Sequence, residues 1–103
     1  MQQRMVTEIA YITIDPANAA AFEAAVAEAA PHFKSAEGCH GMRLERVEED
    51  GAQYRLSVDW ESVAHHMVTF RESDGFQHWR ALAGPFFAGP PRVEHWNRVG
   101  NHF

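Results

Sequence analysis

Hydrophobic and polar positions alternate over the first part of the chain and then repeat with the period of a helix. Val6 to Ile14 alternates and is rich in β-branched residues, which predicts a strand. The strand ends at Asp15-Pro16, an N-cap followed by a proline suited to the first helical turn. We expect Pro31 to end or kink this helix near His32. The apolar stripe of the helix consists of Phe22, Val26, Ala29 or Ala30, and Phe33.

Two further strands joined by a tight turn are predicted next. His40 to Val47 and Gln53 to Glu61 have the strand pattern, and Glu49-Asp50-Gly51 between them contains Asp-Gly, a strong hairpin signal. The third strand separates its side chains onto two faces. The apolar face holds Tyr54, Leu56, Val58 and Trp60, and the polar face holds Arg55, Ser57 and Asp59.

A second helical region and a last strand complete the pattern. The region spans residues 65 to 86, HHMVTFRESDGFQHWRALAGPF, and Ser73-Asp74-Gly75 interrupts it. Gly89-Pro90-Pro91 then leads into a strand from Arg92 to Val99, whose less charged face includes His95 and is predicted to point inward. The apolar stripe starts just before this region, at Val63, and continues with His66 or Met67, Phe70, Phe76, Trp79 and Leu82.

The order β-α-β-β-α-β predicts an α+β protein with the ferredoxin-like fold, an antiparallel sheet with both helices on one face. We expect one domain over residues 1–103, because the chain has no repeat, linker or low-complexity tract. The other face of the sheet needs a cover, and a chain of 103 residues with 46% hydrophobic content has apolar surface to spare. A homodimer is therefore expected.

Charge and apolar run length exclude several classes of partner. Nine Lys and Arg against fourteen Asp and Glu give a net charge of −5, and no basic run is present, so a nucleic-acid partner is not expected. No segment approaches the roughly 20 apolar residues of a membrane span, and the start of the chain lacks a secretory signal pattern, so we expect a cytoplasmic protein. The single cysteine, Cys39, cannot form an intrachain disulfide and is expected to be a half-buried turn residue.

Histidines and aromatic residues supply the candidate chemistry. His65 and His66 are adjacent and cannot share a helix face, and no histidine spacing supports a metal site. His66 lies on the apolar stripe, where it is either a catalytic base or a core histidine bonded to a backbone carbonyl. We predict a pocket formed by His66, His95 and Arg80, with aromatic and apolar walls. The predicted walls are Trp60, Met67, Phe70, Phe76 and Trp79.

Several short motifs resemble the antibiotic biosynthesis monooxygenase family, over about residues 6 to 99. They are Glu37-Gly38-Cys39-His40-Gly41, Asp59-Trp60-Glu61-Ser62, the run Phe70-Arg71-Glu72-Ser73-Asp74-Gly75-Phe76 and a proline-led final strand. The resemblance implies a dimeric α+β barrel with a pocket in each subunit between the sheet and its helices. The family includes cofactor-free oxygenases of phenols and quinols, haem-degrading enzymes and proteins with no known activity. Fold alone does not choose among them.

The haem-degrading branch fits this sequence poorly. The resemblance implies a pocket tryptophan where this chain has Phe70, an iron-ligating histidine near Arg80 and an asparagine on the first strand, which has none. His78 is two residues from the ligand position, which turns it roughly 200° around a regular helix. The chain also has no Gly-rich phosphate loop and no thiolate cluster, so neither flavin, haem nor metal is expected.

Two function classes remain open. In the first, a cofactor-independent monooxygenase oxidises an electron-rich phenol or hydroquinone with O₂. His66 is the first choice for the base, His95 is the alternative, and Arg80 stabilises the anions unless it pairs with a surface carboxylate. In the second, the chain is a non-catalytic dimeric module that binds a small ligand. Haem binding and degradation is a further alternative.

Overall fold

The computed structural model describes residues 5–103 as a four-stranded antiparallel sheet with helices against one face. The strand order is β2-β3-β1-β4. The prediction of an α+β ferredoxin-like fold is confirmed. None of the helices in this part of the chain is long and apolar enough to cross a membrane. The principal elements are β1 (Val6–Thr13), α1 (Ala19–Lys34), β2 (Cys39–Arg46), β3 (Gln53–Trp60), a π-helix (His65–Phe70), α2 (Asp74–Ala83) and β4 (Arg92–Trp96).

The hydrophobic core lies between the sheet and the helices. Strand pairing places Ala10 opposite Leu56 and Ile12 opposite Tyr54, so the apolar faces of β1 and β3 form one surface. Trp60 at the end of β3 is completely buried. The predicted stripe of α1 packs on this surface, which confirms the helix: Phe22, Val26, Ala29 and Phe33 are all buried.

Two element ends differ from the sequence prediction by more than one residue. Helix α1 continues past Pro31 to Lys34, because the buried ring of Phe33 packs against Phe70 and Trp79 and holds the last turn helical. Strand β4 ends at Trp96 rather than Val99. The cause is pairing: Trp96 lies opposite Thr7, near the start of β1, so further residues would have little strand to pair with.

The second helical region begins as a π-helix rather than an α-helix. The amide of Arg71 donates to the carbonyl of His66, five residues earlier, at 3.3 Å. Ser73 separates this segment from α2, which confirms the predicted interruption. Its hydroxyl donates to the carbonyl of Phe70 at 2.6 Å and accepts from the amide of Phe76 at 3.3 Å.

Candidate active site

A cavity of about 570 Å³ lies between the β1 and β4 side of the sheet and the helical layer. This volume is typical of small-molecule sites, which are mainly apolar with a few polar groups. Its aromatic walls are Phe33, Phe70, Phe76, Trp79 and Phe87. Its charged and titratable lining residues are Glu8, His66, Arg71 and Arg80.

Glu8 brings a buried carboxyl group to this cavity. It lies on the inward face of β1 and is only 5% exposed. The indole N–H of Trp60 donates to its Oε1 at 3.0 Å. Burial raises the pKa of Glu8 from 4.5 to about 7, against the opposing effects of the Trp60 hydrogen bond and the charge of Arg71. The carboxyl group is therefore close to half ionised at neutral pH.

His66 lies between Glu8 and His95 and contacts both through its imidazole ring. Its Nε2 is 3.3 Å from Oε1 of Glu8, and its Nδ1 is 2.9 Å from Nε2 of His95. Burial, followed by the charges of His95 and Arg71, lowers the pKa of His66 from 6.5 to about 4. His66 is thus neutral at pH 7, and its contact with Glu8 is not an ion pair.

His95 reaches this group from β4, where it lies opposite Glu8 in the strand pairing. It is half-buried, on the helix-facing side of the strand as the sequence predicted. Burial, with a smaller effect from Arg71, lowers the pKa of His95. Since His66 directs its two nitrogens at two different partners, the three side chains form a chain and do not converge on one point. Within residues 5–103, no three His, Cys, Asp or Glu side chains are arranged to hold a metal ion.

Two guanidinium groups stand at the edge of the cavity. The Cζ atoms of Arg71 and Arg80 lie 5.7 Å and 5.9 Å from the centre of the Phe76 ring, within the range of a cation-π contact. In the part of the chain that the structure describes, the ion pairs formed by arginine involve other residues: Arg43, Arg46, Arg55 and Arg92. Arg71 and Arg80 are therefore available to an anionic ligand group.

The structure brings most of the predicted site residues together. Five of them line the cavity: His66, Arg80, Phe70, Phe76 and Trp79. His95 does not line the cavity but contacts His66, which does.

Two predicted wall residues lie elsewhere. Trp60 is completely buried behind Glu8 and does not line the cavity. Met67 is 39% exposed and does not line it either, because it follows His66 directly and is turned towards solvent.

The sequence prediction missed Glu8 and Arg71. One signal was available for Glu8: it is the only charged residue at the inward positions of β1, which it shares with Val6, Ala10 and Ile12. Arg71 had no comparable signal, because five residues in a regular α-helix place it about 140° away from His66. In the π-helix residues five apart are neighbours on one side, so Arg71 lies near His66.

The cavity does not fit haem ligation. His78, the histidine nearest the expected ligand position, stacks on His32 with ring centres 4.2 Å apart and does not line the cavity. His66, the histidine among the lining residues, has both ring nitrogens engaged by Glu8 and His95. Neither supplies a free imidazole nitrogen to an iron in the cavity.

Comparison with known proteins places the chain in a family. The family model described as antibiotic biosynthesis monooxygenase matches residues 5–82. The uncharacterized protein YczJ of Bacillus subtilis is 35% identical over 95 residues, which cover 92% of this chain and all of that protein. A candidate antibiotic biosynthesis monooxygenase from Bordetella bronchiseptica has 52% identity and a TM-score of 0.91, with 94% of this chain and 99% of that chain covered. Another from Caulobacter crescentus has 27% identity and a TM-score of 0.80, with 96% and 93% covered. The chain therefore belongs to the antibiotic biosynthesis monooxygenase family.

Proposed function

We propose that this protein is a cofactor-independent monooxygenase that oxidises a small electron-rich phenol or hydroquinone with O₂. One observation carries the proposal: a buried carboxyl group, Glu8, faces an aromatic cavity and has a pKa of about 7. A general base is most effective when its pKa lies near the working pH. Membership of the family supports the reaction class.

The reaction begins when Glu8 removes the phenolic proton. The phenolate then gives one electron to O₂, and the resulting phenoxyl radical and superoxide combine to form a carbon–oxygen bond. The peroxide anion takes back the proton from Glu8, and the hydroperoxide loses water. One oxygen atom stays in the quinone product and the other leaves as water, so protons and electrons balance without a further reductant.

Glu8 is better placed than either histidine to act as the base. A pKa of about 4 makes His66 a weak base at neutral pH, and both of its nitrogens already have partners. His95 does not line the cavity. We propose that His66 holds the Glu8 carboxyl in position, in place of the direct base role expected from the sequence.

Arg71 and Arg80 supply the positive charge that the reaction needs. The phenolate and the superoxide formed beside it are both anions, and cations fixed beside them stabilise such charge. We propose that the two guanidinium groups bind these anions, while Phe70, Phe76 and Trp79 hold the flat ring and exclude water.

Oxygen uptake with a panel of phenols and hydroquinones tests the function, and Glu8→Gln tests the base. We expect turnover in the parent and a loss of about 10²-fold or more in Glu8→Gln, the scale of general-base loss. Glu72→Gln is the matched control, because Glu72 is an exposed carboxylate between the π-helix and α2. It should keep the parental rate.

Three results would each contradict a part of the proposal. If Glu8→Gln turns over at the parental rate, Glu8 is not the base. If aromatics bind but no phenol or quinol is consumed, the chain is a ligand-binding module instead. A stoichiometric absorption band above 400 nm that survives purification would contradict cofactor independence.

A further inference from the structure

The chain of Glu8, His66 and His95 runs from the cavity to the edge strand β4, on the helix-facing side of the sheet. Within residues 5–103, no buried side-chain nitrogen or oxygen lacks a hydrogen-bond partner. Nδ1 of the half-buried His95 has no partner in this range, so it must be open to solvent. A continuous set of titratable atoms therefore runs from the cavity carboxyl to water.

We propose that Glu8, His66 and His95 form a proton relay through which the cavity carboxyl exchanges its proton with solvent at Nδ1 of His95. The existence of the relay is independent of the reaction. Its catalytic use, which is to set the ionisation of Glu8 while an aromatic ligand fills the cavity, rests on the proposed function.

The relay has two states that differ by one proton. With Glu8 ionised, Nε2–H of His66 faces the carboxylate, and Nδ1 of His66 accepts from Nε2–H of His95. With Glu8 protonated, its O–H faces Nε2 of His66, Nδ1–H of His66 donates to Nε2 of His95, and His95 carries its proton on Nδ1. Each imidazole gains a proton on one nitrogen and loses one from the other, so one proton moves between Glu8 and water.

The environment favours this route over a charged intermediate. Burial opposes a cation on His66, and an exchange of tautomers never creates one. Arg71 adds positive charge near all three groups. Its charge lowers the pKa of both histidines and so also opposes a cation on either ring. The Cys39 thiol is the other titratable group that interacts with Glu8, and its own raised pKa keeps it neutral.

The distances are compatible with proton transfer. The link between His66 and His95 is 2.9 Å, within the usual hydrogen-bond range. The 3.3 Å contact between His66 and Glu8 is longer, and contacts of this kind shorten when a ligand closes an active site. The ring of His66 lies nearly parallel to that of Trp60, with an interplanar angle of 19°, which restricts its rotation out of line.

Nitrogen NMR of histidine-labelled protein tests the relay without any substrate, because it distinguishes Nδ1–H from Nε2–H tautomers. We expect neutral His95 to change from the Nε2–H to the Nδ1–H tautomer as the pH falls through about 7. The midpoint should match that of the Glu8 carboxyl carbon. In Glu8→Gln, which keeps the shape of the side chain, this change should be absent. A His95 tautomer that stays constant while Glu8 titrates would overturn the relay.

A second variant separates transfer along the chain from an effect through space. His66→Phe fills a similar volume beside Trp60 but has no nitrogen, so His95 should stop responding to Glu8. A His95 tautomer change near pH 7 that persists in Glu8→Gln or in His66→Phe would also overturn the relay. If the tautomer change is seen but no quinol is oxidised, the relay stands and the proposed function is wrong. If quinol is oxidised but the His95 tautomer does not change, the proposed function stands and the relay is wrong.

Discussion

Glu8 and His66 are both buried, and burial moves their pKa values in opposite directions. The folded pKa of Glu8 is about 7, against 4.5 for a free carboxyl, so its contribution to stability falls as the pH rises between these values. The folded pKa of His66 is about 4, against 6.5 for a free imidazole, so the contribution of His66 to stability rises as the pH rises between these values. The two effects offset each other from about pH 4.5 to 6.5, and above pH 6.5 only the loss due to Glu8 continues.

Glu8→Gln should therefore remove the destabilisation that the wild-type protein shows towards alkaline pH. From the two pKa values of Glu8, we expect the variant to gain about 2–3 kcal/mol in unfolding free energy relative to the wild type between pH 5 and pH 8. Urea unfolding at both pH values measures the difference, with Glu72→Gln as the control. Identical pH dependence in the wild type and Glu8→Gln would show that the carboxyl titrates normally.

The sequence predicted His66 and Phe70 from a regular period but missed Glu8 and Arg71, whose roles depend on strand register and on the π-helix. Helical spacing was enough to place His66 and Phe70 on one inward face. Strand alternation also put Glu8 inward, but its role follows from the registers that bring Trp60 and His95 to it, since Trp60 ends β3 opposite Val6 and His95 is opposite Glu8. The register between strands that are far apart in the sequence cannot be predicted from the local pattern of hydrophobic and polar residues.

The π-helix is the element whose shape matters most for the site. Sequence periodicity predicted a helix here but not its winding, because residues four apart, such as His66 and Phe70, share a face in an α-helix and in a π-helix alike. The extra residue lets His66, Phe70 and Arg71 all line the cavity. π-Helical turns of this kind occur mostly as single insertions in α-helices, frequently at functional sites.

Deletion of Val68 should be tolerated, because removing one residue from a π-turn restores α-helical winding with the flanking residues still in place. Val68 is 54% exposed, so little packing is lost. Deletion of the exposed Ala27 from α1 is the control: it rotates Phe33 by about 100° relative to Phe22 and disrupts the core. Thermal unfolding should show a much lower melting temperature for the second deletion than for the first. Equal losses would mean that the π-turn is needed for folding.

At the scale of the whole molecule, the outer face of the sheet has no cover within residues 5–103. The helices pack on the other face, which leaves Trp96 on β4 54% exposed. Nearby, Arg92 lies over the ring of Tyr11 at 4.1 Å, and Thr7 and Asp59 are joined by a hydrogen bond of 2.8 Å. A surface with both apolar and paired polar groups suits a partly polar interface between two copies.

We therefore predict a homodimer formed through this outer face, with β4 at its centre. Light scattering at micromolar concentration should give twice the chain mass of 11.7 kDa. Trp96→Asp should shift the protein towards the monomer, because a buried, unpaired carboxylate opposes association. Val63→Asp is the matched control: Val63 is 43% exposed but precedes the π-helix, outside the sheet, and its substitution should leave the mass unchanged. A wild-type protein that remains at 11.7 kDa would contradict the dimer, and dissociation by Val63→Asp alone would place the interface on the helical side.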